Sequence, residues 1–369
     1  MRQMFSTRPQ FGGADAALQA AAGRLSGLWA SRGAAAEALS NPWIGAAGAG
    51  ALFLLAAASL IAVTGDPRAG APHVRISLTQ GQDRTLPGPI GATSPVTGPA
   101  APAAPTDGRQ ALLPAPFAGL TAPGPGGLLP IIAADGRTPF QAYARPFHDT
   151  GAPKVALVIS GLGLNAKTTR EAIQDLPPEV TLSFVPYAEG LQGWIDLARA
   201  SGHEVMLEAP MEPLDYPQND PGPYTLMTQD APQETVKRME VLMSRASGYF
   251  AVTNYLGGRF LSSDSAMGVF AAALHKRGLG FLDDGTAAAR GGAEPRASAE
   301  RVIDQDLDGG SIDQQLQALE ASAQQHGKAL AAGFAYPVTL QEVQRWTASL
   351  QAHGLQLAPA SALMTRRAP

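Results

Sequence analysis

The sequence predicts an α/β fold in the C-terminal part of this 369-residue chain, namely a barrel of seven or eight parallel strands. One transmembrane helix and a disordered proline-rich linker are predicted to precede it. Three observations lead to this prediction. A stretch of 22 residues without charge runs from Trp43 to Thr64, and roughly half of the 31 prolines lie between residues 65 and 145. Beyond Pro153, short apolar runs alternate with amphipathic segments, as strands and helices do in α/β proteins.

Residues 43–64 are predicted to form a transmembrane helix, because roughly 20 apolar residues rising 1.5 Å each span the hydrocarbon core of a bilayer. The preceding segment, residues 1–42, is longer than the start of a cleaved signal peptide, so we interpret the helix as an uncleaved anchor. That segment carries four arginines, Arg2, Arg8, Arg24 and Arg32. The positive-inside rule therefore predicts a single-pass protein of the inner (cytoplasmic) membrane, with residues 1–42 in the cytoplasm and the C-terminal domain periplasmic or otherwise extracytoplasmic.

Residues 65–148 are predicted to be a disordered linker. Runs such as GPIGATSPVTGPAAPAAPTDG contain few large apolar side chains, and proline cannot donate the backbone hydrogen bonds of helices and sheets. Such a segment is semi-extended and gives the following domain reach from the membrane. A ligand for a proline-recognition domain is the alternative interpretation.

The predicted domain covers residues 149–365. Its predicted strands are short apolar runs at 155–160, 180–185, 204–208, 249–253, 279–283, 301–304, 328–333 and 355–359. Its predicted helices lie between most of them, at 165–176, 190–202, 230–248, 263–278, 311–327 and 339–354. Glycines typical of helix C-caps end five of these segments, at Gly202, Gly248, Gly278, Gly327 and Gly354. The repeated order favours a closed or nearly closed parallel barrel, with an open doubly wound sheet as the alternative.

Composition excludes several classes of function. The formal net charge is −4 and no long lysine or arginine run occurs, so we expect no nucleic-acid partner. The chain has no cysteine, which excludes disulfides, cysteine-ligated zinc and a cysteine nucleophile.

Ligands of parallel α/β folds bind where the strands end. The corresponding positions are 160–165, 186–187, 208–212, 254–259, 283–286, 304–308 and 334–337. Four motifs at these ends are VALVISGLGLN, ARASGHEVMLEAPMEP, NYLGGRF and RGLGFLDDGT. In this order, over roughly 210 residues, they resemble the divergent polysaccharide deacetylases, a branch of the carbohydrate deacetylases with a distorted (β/α) barrel.

The resemblance implies a hydrolase of C–N bonds that acts on an envelope polysaccharide or a peptidoglycan-type glycan, using a divalent metal such as zinc. In family members with that site, an aspartate pair stands where this chain has Ser160 and Gly161. A histidine stands in place of Tyr255, and another in place of Glu208. Neither glycine nor a neutral tyrosine readily ligates zinc. The identity of any cofactor therefore stays open at this point.

Acidic residues dominate the remaining strand ends. We predict Asp283, Glu208 and Asp284 as catalytic residues, because Asp283 matches a family motif and strand alternation puts Glu204 and Glu208 on one face. The alternatives are that Asp283 caps a turn and that the glutamates are surface acids. Predicted substrate-binding residues are Glu212, Asp215, Asn219, Asp220, Asn254, Tyr255 and Arg259. For Arg259, pairing with a carboxylate at the rim is the alternative.

Two functions are compatible with these residues. One is hydrolysis of an acetylated glycan at a carboxylate-rich, metal-assisted site. The other is a catalytically degenerate barrel that binds a glycan or an envelope protein without chemistry.

Overall fold

The structure, a computed structural model, describes residues 109–287 and 294–364. The predicted cytoplasmic segment, the predicted transmembrane helix at 43–64 and linker residues 65–108 lie outside this range, so those predictions stay untested. Within the described ranges, no helix is long and apolar enough to cross a membrane.

Eleven strands form two sheets in the described part of the chain. They are β1 Thr121–Gly124, β2 Gly127–Pro130, β3 Lys154–Leu162, β4 Thr181–Phe184, β5 Val205–Met211, β6 Ala251–Leu256, β7 Gly280–Asp283, β8 Arg296–Ser298, β9 Arg301–Val302, β10 Lys328–Phe334 and β11 Gln356–Leu357. The main sheet has the order β8-β7-β6-β5-β4-β3-β10-β9, with β11 beside β3. All its pairs are parallel, which confirms the predicted parallel α/β fold.

The main sheet is curled, and one chain segment links its two edges. The edge strands β8 and β9 are separated only by Ala299 and Glu300. The Ala299 N–H donates to Asp283 O at 2.7 Å, and the Glu300 N–H donates to Leu330 O at 2.8 Å. This short crossing segment therefore attaches both to β7 and to β10.

Nine helices accompany the strands in the described part. They are α1 Pro139–Tyr143, α2 Ala166–Asp175, α3 Leu191–Ala200, α4 Pro232–Met243, α5 Gly258–Ser262, α6 Asp264–Arg277, α7 Gly309–His326, α8 Pro337–Ser349 and α9 Ala360–Leu363. The longer helices pack on the outer face of the sheet and bury a large cluster with side chains such as Ile173, Ile195 and Phe270. A second cluster fills the inner face, with Ala156, Val158, Met206, Ala251 and Leu282 from alternate strand positions.

The linker prediction for residues 65–148 is wrong for residues 109–148. This segment contains the β1–β2 hairpin and α1, and it buries Leu120, Leu129 and Tyr143. The guanidinium of Arg199 in α3 donates to the carbonyl oxygen of Leu113 at 3.0 Å, which ties the segment to the domain. A few well-placed apolar side chains stabilise a segment whose average composition resembles a disordered linker.

Six of the eight predicted strands are confirmed, whereas the strands predicted at 301–304 and 355–359 are limited to Arg301–Val302 and Gln356–Leu357. Two of the predicted glycine C-caps, Gly278 and Gly327, are confirmed in the left-handed conformation. Helix α3 instead ends on Ser201, with the left-handed Gly202 directly after it. The strand β8 and the β1–β2 hairpin were not predicted.

Candidate functional site

Inward-facing residues at the C-terminal ends of β3, β5, β6 and β10 form the candidate site. Ser160 and Phe334 are in register on neighbouring strands, as are Glu208 and Thr253, and Tyr255 lies two residues beyond Thr253 on the same face. We call this region the mouth, defined by Ser160, Gly161, Tyr187, Glu208, Tyr255 and Phe334.

Glu208 is the central acidic group of the mouth. Its side chain is only 2% exposed, and its Oε1 atom accepts a 2.6 Å hydrogen bond from the Gly161 N–H. Among the described residues, no other group donates to this carboxyl. Burial raises the pKa of Glu208 to about 8, and the hydrogen bond from Gly161 only partly opposes that rise. The carboxyl is therefore mainly protonated at neutral pH.

The approach of Gly161 depends on an irregularity in β3. The pairing with β4 shifts register between Ile159 and Leu162, and Gly161 has a φ of +79°, in the left-handed region that favours glycine. A β-bulge of this kind changes the direction of backbone groups near active sites. Here it turns a backbone N–H toward Glu208.

Two tyrosines face Glu208, Tyr187 from the loop after β4 and Tyr255 from β6. The Tyr187 hydroxyl donates to Pro221 O at 2.8 Å, and burial raises the Tyr187 pKa to about 12, with a smaller contribution from the Glu208 charge. Burial also raises the pKa of Tyr255, again reinforced by Glu208. Both phenols therefore stay protonated at neutral pH. The sequence placed Tyr187 at a strand end but assigned it no role.

Aromatic rings continue from Tyr255 along one side of the mouth. The Tyr255 and Phe334 rings meet edge to face at 6.3 Å between centroids, and Phe334 lies 6.2 Å from the Tyr336 ring. Tyr336 is 44% exposed, so the row extends to the surface. Such rings can stack against sugar rings or attract a cation.

Asp283 has the capping role considered as the alternative from sequence. It is fully buried, and its Oδ1 atom accepts from the N–H groups of Gly285 at 2.9 Å and Ala287 at 3.0 Å. Its Oδ2 atom accepts from Ser298 Oγ at 2.6 Å and from Arg296 Nη2 at 3.3 Å. These four donors hold the turn after β7 against β8. They occupy both carboxylate oxygens, which leaves Asp283 little capacity to accept a hydrogen bond from a substrate.

Asp284 and Asn254 connect the ends of β6 and β7. The Asp284 N–H donates to Asn254 Oδ1 at 3.1 Å, and Asn254 Nδ2 donates to Leu256 O at 2.7 Å. The Asp284 Oδ1 atom accepts from the Thr286 N–H at 3.0 Å. The amide of Asn254 is thus occupied by the backbone, whereas Asp284 is half-buried and retains a free carboxylate oxygen.

The predicted substrate-binding residues Glu212 and Arg259 contact each other. Arg259 Nε lies 3.5 Å from Glu212 Oε1, and Arg259 Nη2 donates to Leu214 O at 2.7 Å. Glu212 is nearly buried, and its Oε2 atom accepts from the Thr228 N–H at 2.7 Å. The pairing considered as the alternative for Arg259 is therefore the one observed, and Glu212 fastens both ends of the long loop after β5.

The other predicted residues lie on that loop, between residues 212 and 228. Asp220 Oδ1 accepts from the Gly222 N–H at 2.9 Å and turns the chain where Pro221 contacts Tyr187. Asp220 is thereby brought close enough to raise the Tyr187 pKa. Asp215 and Asn219 are exposed on the same loop.

Glu204 shares the inward face with Glu208, as strand alternation predicts, but lies at the opposite end of β5. Its carboxylate accepts from Thr181 Oγ1 at 2.8 Å, the Arg145 N–H at 2.9 Å and the Ser361 N–H at 3.0 Å. These bonds fix α1 and α9 under the sheet. Glu204 therefore has a structural position away from the mouth.

The residues of the mouth do not fit a zinc site. The positions at which the sequence resemblance predicts metal ligands hold the Ser160 hydroxyl, the bare backbone of Gly161 and the protonated phenol of Tyr255, beside the protonated carboxyl of Glu208. Zinc in proteins is bound by imidazole nitrogen, thiolate or ionised carboxylate. Nowhere in the described ranges do three histidine, aspartate or glutamate side chains converge as a ligand set.

Comparisons with known proteins give a consistent assignment. Residues 157–364 match the family described as divergent polysaccharide deacetylase. The crystal structure of an uncharacterized protein from Agrobacterium tumefaciens C58 is 37% identical and covers 64% of this chain and all of its own, with a TM-score of 0.62. An uncharacterized protein of Haemophilus influenzae is 24% identical over 52% of this chain and 70% of its own. The uncharacterized protein YibQ of Escherichia coli is 23% identical over 54% of this chain and 64% of its own.

Proposed function

Because the chain belongs to the divergent polysaccharide deacetylase family, we propose that its C-terminal domain binds a glycan at the mouth without metal-dependent hydrolysis. The observation that carries this proposal is the hydrogen bond from the Gly161 N–H to Glu208. A backbone donor and a protonated carboxyl stand where the family places metal-binding side chains. The site therefore has binding groups in place of a metal centre.

The chemistry of the mouth is compatible with a sugar. A protonated carboxyl both donates and accepts hydrogen bonds, as sugar hydroxyls do. The rings of Tyr255, Phe334 and Tyr336 supply apolar faces beside it. The loop carrying Asp220 adjoins the mouth through the hydrogen bond of Tyr187 to Pro221 O.

A deacetylase that needs no metal is the second candidate, and one observation favours it. The Glu208 pKa of about 8 lies near neutral pH, where a carboxyl is effective in general acid–base catalysis. In its ionised form Glu208 would take a proton from water as the water oxygen adds to the N-acetyl carbonyl carbon. The same proton would then pass to the departing amine as the C–N bond breaks, with the Tyr255 hydroxyl donating to the oxyanion.

We further propose the location predicted from the sequence, a single-pass protein of the cytoplasmic membrane. The uncharged segment 43–64 supports an anchor, and the four arginines before it support an extracytoplasmic domain. An envelope glycan, such as a peptidoglycan-type strand, is then the accessible ligand. An envelope protein bound at the same face is the remaining alternative.

The test uses the full-length chain and chito-oligosaccharides of mixed acetylation. Isothermal titration calorimetry measures binding, while acetate release is followed in parallel with and without added zinc. We expect binding without acetate release, and loss of binding in Tyr255→Ala but not in the matched control Tyr249→Phe, a buried tyrosine outside the mouth. Zinc-stimulated acetate release would contradict the proposal. Zinc-independent release that Glu208→Gln abolishes would instead establish the second candidate.

A further inference from the structure

Resting on the proposed glycan-binding function, we infer that the mouth recognises an amino sugar with a free, protonated amine, and that Glu208 is the partner of this amine. The ligand class is therefore a de-N-acetylated glycan. The proposal names the charge state of the sugar, which the family assignment leaves open. Its basis is the balance of donors, acceptors and charges around Glu208.

Glu208 is a buried acid with one oxygen available. Oε1 accepts from the Gly161 N–H, whereas Oε2 accepts from no group in the described part of the chain. Glu208 as a residue is only 2% exposed, yet Oε2 keeps some contact with solvent. A ligand that donates to this oxygen would replace that contact with a direct hydrogen bond and would gain affinity.

The hydroxyl groups around Glu208 can both donate and accept hydrogen bonds. The Tyr187 hydroxyl donates to Pro221 O, whereas the Ser160 and Tyr255 hydroxyls donate to no group in the described part of the chain. An N-acetyl carbonyl needs donors, whereas an ammonium group needs acceptors. Hydroxyl groups suit either ligand, so the group that favours the ammonium is Glu208 Oε2, which in the ionised carboxylate only accepts.

The charges point the same way. The groups that face Glu208 are the Gly161 N–H from β3, Tyr187 from the loop after β4 and Tyr255 from β6, and none of them is a cation. Asp220 and Asp284 add negative charge at the same end of the sheet. Arg259, in α5, is engaged by Glu212 and Leu214 O. A bound ammonium would supply a positive charge and would thereby favour the ionised form of Glu208 over the protonated form.

The tyrosine rings add a second attraction. Tyr187 and Tyr255 approach Glu208 closely enough for its charge to act on both phenols. The face of an aromatic ring attracts a cation, and more strongly where water is excluded. An ammonium group beside Glu208 would therefore contact a carboxylate and aromatic rings together, whereas an acetyl methyl group would gain only the contact with the rings.

The test compares two ligands that differ only in acetylation, N,N′,N″,N‴-tetraacetylchitotetraose and its fully de-N-acetylated counterpart, by titration calorimetry on the full-length chain at pH 7. We expect about tenfold or greater preference for the amine, the effect of one charged hydrogen bond. Glu208→Gln should abolish this preference and leave the affinity for the acetylated ligand in place. Glu171→Gln, a surface change on α2, should leave both affinities unaltered.

If circular dichroism shows that Glu208→Gln misfolds, the salt dependence of ligand binding to the wild-type protein still tests the inference. Binding of the amine should weaken as salt rises, whereas binding of the acetylated ligand should not. Equal affinities with equal salt dependence would overturn the inference and leave glycan binding in place. Binding of neither ligand would overturn the proposed function itself.

Discussion

The backbone N–H of Gly161 donates a 2.6 Å hydrogen bond to Oε1 of Glu208, linking β3 to β5 across the intervening strand β4. A residue without a side chain thus occupies a position where the sequence resemblance predicts a metal ligand, and it contributes a backbone donor instead. The left-handed φ of +79° makes this possible. Glycine at position 161 therefore accounts both for the missing ligand side chain and for the hydrogen bond to the Glu208 carboxyl.

Gly161→Ala should separate backbone strain from the function of the mouth. An added Cβ would lie 3.5 Å from Phe334, an ordinary contact, so the cost comes from the left-handed backbone and is roughly 1–2 kcal/mol. Gly327→Ala is the matched control, because its φ is +80° and an added Cβ meets nothing within 4 Å. Urea denaturation should show similar losses of stability in both variants, whereas glycan affinity should fall only in Gly161→Ala. Equal affinities in both would contradict the role of the Gly161 N–H.

Glu208 should make stability depend on pH. Its pKa is raised from the ordinary value of 4.5 to about 8 in the folded protein, so the folded state binds more protons between those values. Its contribution to the free energy of unfolding is therefore complete below pH 4.5 and is lost as pH rises toward 8, by at most about 1.4 kcal/mol per pH unit.

Glu208→Gln removes this titration. Because burial also raises the pKa values of Glu204 and Asp304, the informative quantity is the difference between wild type and variant from pH 5 to pH 9. Denaturation curves should show a wild-type stability that declines more steeply with pH than that of the variant. Parallel pH profiles of the wild type and the variant would show that Glu208 titrates normally. The carboxyl in the mouth would then not be neutral at pH 7.

Asp283→Asn should behave as a stability variant. The change places an amide among donors and weakens the buried pair with Arg296, at a cost of about 3 kcal/mol or more. Asp284→Asn, at a half-buried neighbour, should change stability by no more than about 0.5 kcal/mol. Thermal denaturation of both variants provides the measurement. A stable Asp283→Asn protein that no longer binds glycan would show that Asp283 belongs to the binding site, as the sequence predicts.

Most strands of the main sheet could be predicted because they are short apolar runs, most of them followed by an amphipathic helix. The packing of residues 109–148 could not, since it depends on a few side chains such as Leu120 and Tyr143 finding partners in α3. Their proline-rich surroundings dominate any average over the segment. The same holds for β8, a three-residue strand defined by its pairing with β7 and not by its own pattern.

The site was predictable where side chains point inward from strand ends, as Glu208 does. It was not predictable where the backbone conformation positions a group. The bulge that directs the Gly161 N–H toward Glu208 is visible only in the register of β3 against β4. The two aspartates of the FLDD motif show a further limit. Sequence places Asp283 and Asp284 together, but only the position of Ser298 and Arg296 on β8 shows that Asp283 is fully occupied.

His203 should contribute an opposite pH dependence from the other side of the domain. It is fully buried, with Nδ1 2.8 Å from Val180 O and Nε2 3.1 Å from Ile173 O, yet burial outweighs these contacts and lowers its pKa from 6.5 to about 4. The folded state then binds fewer protons than the unfolded state between those values, so stability is lost as pH falls from about 6.5 toward 4. His203→Gln should flatten the denaturation profile in that window, whereas His326→Gln, at the exposed end of α7, should leave it unchanged. An unaltered slope in His203→Gln would mean that the two carbonyls hold the imidazole in its charged form, and that the contacts outweigh burial.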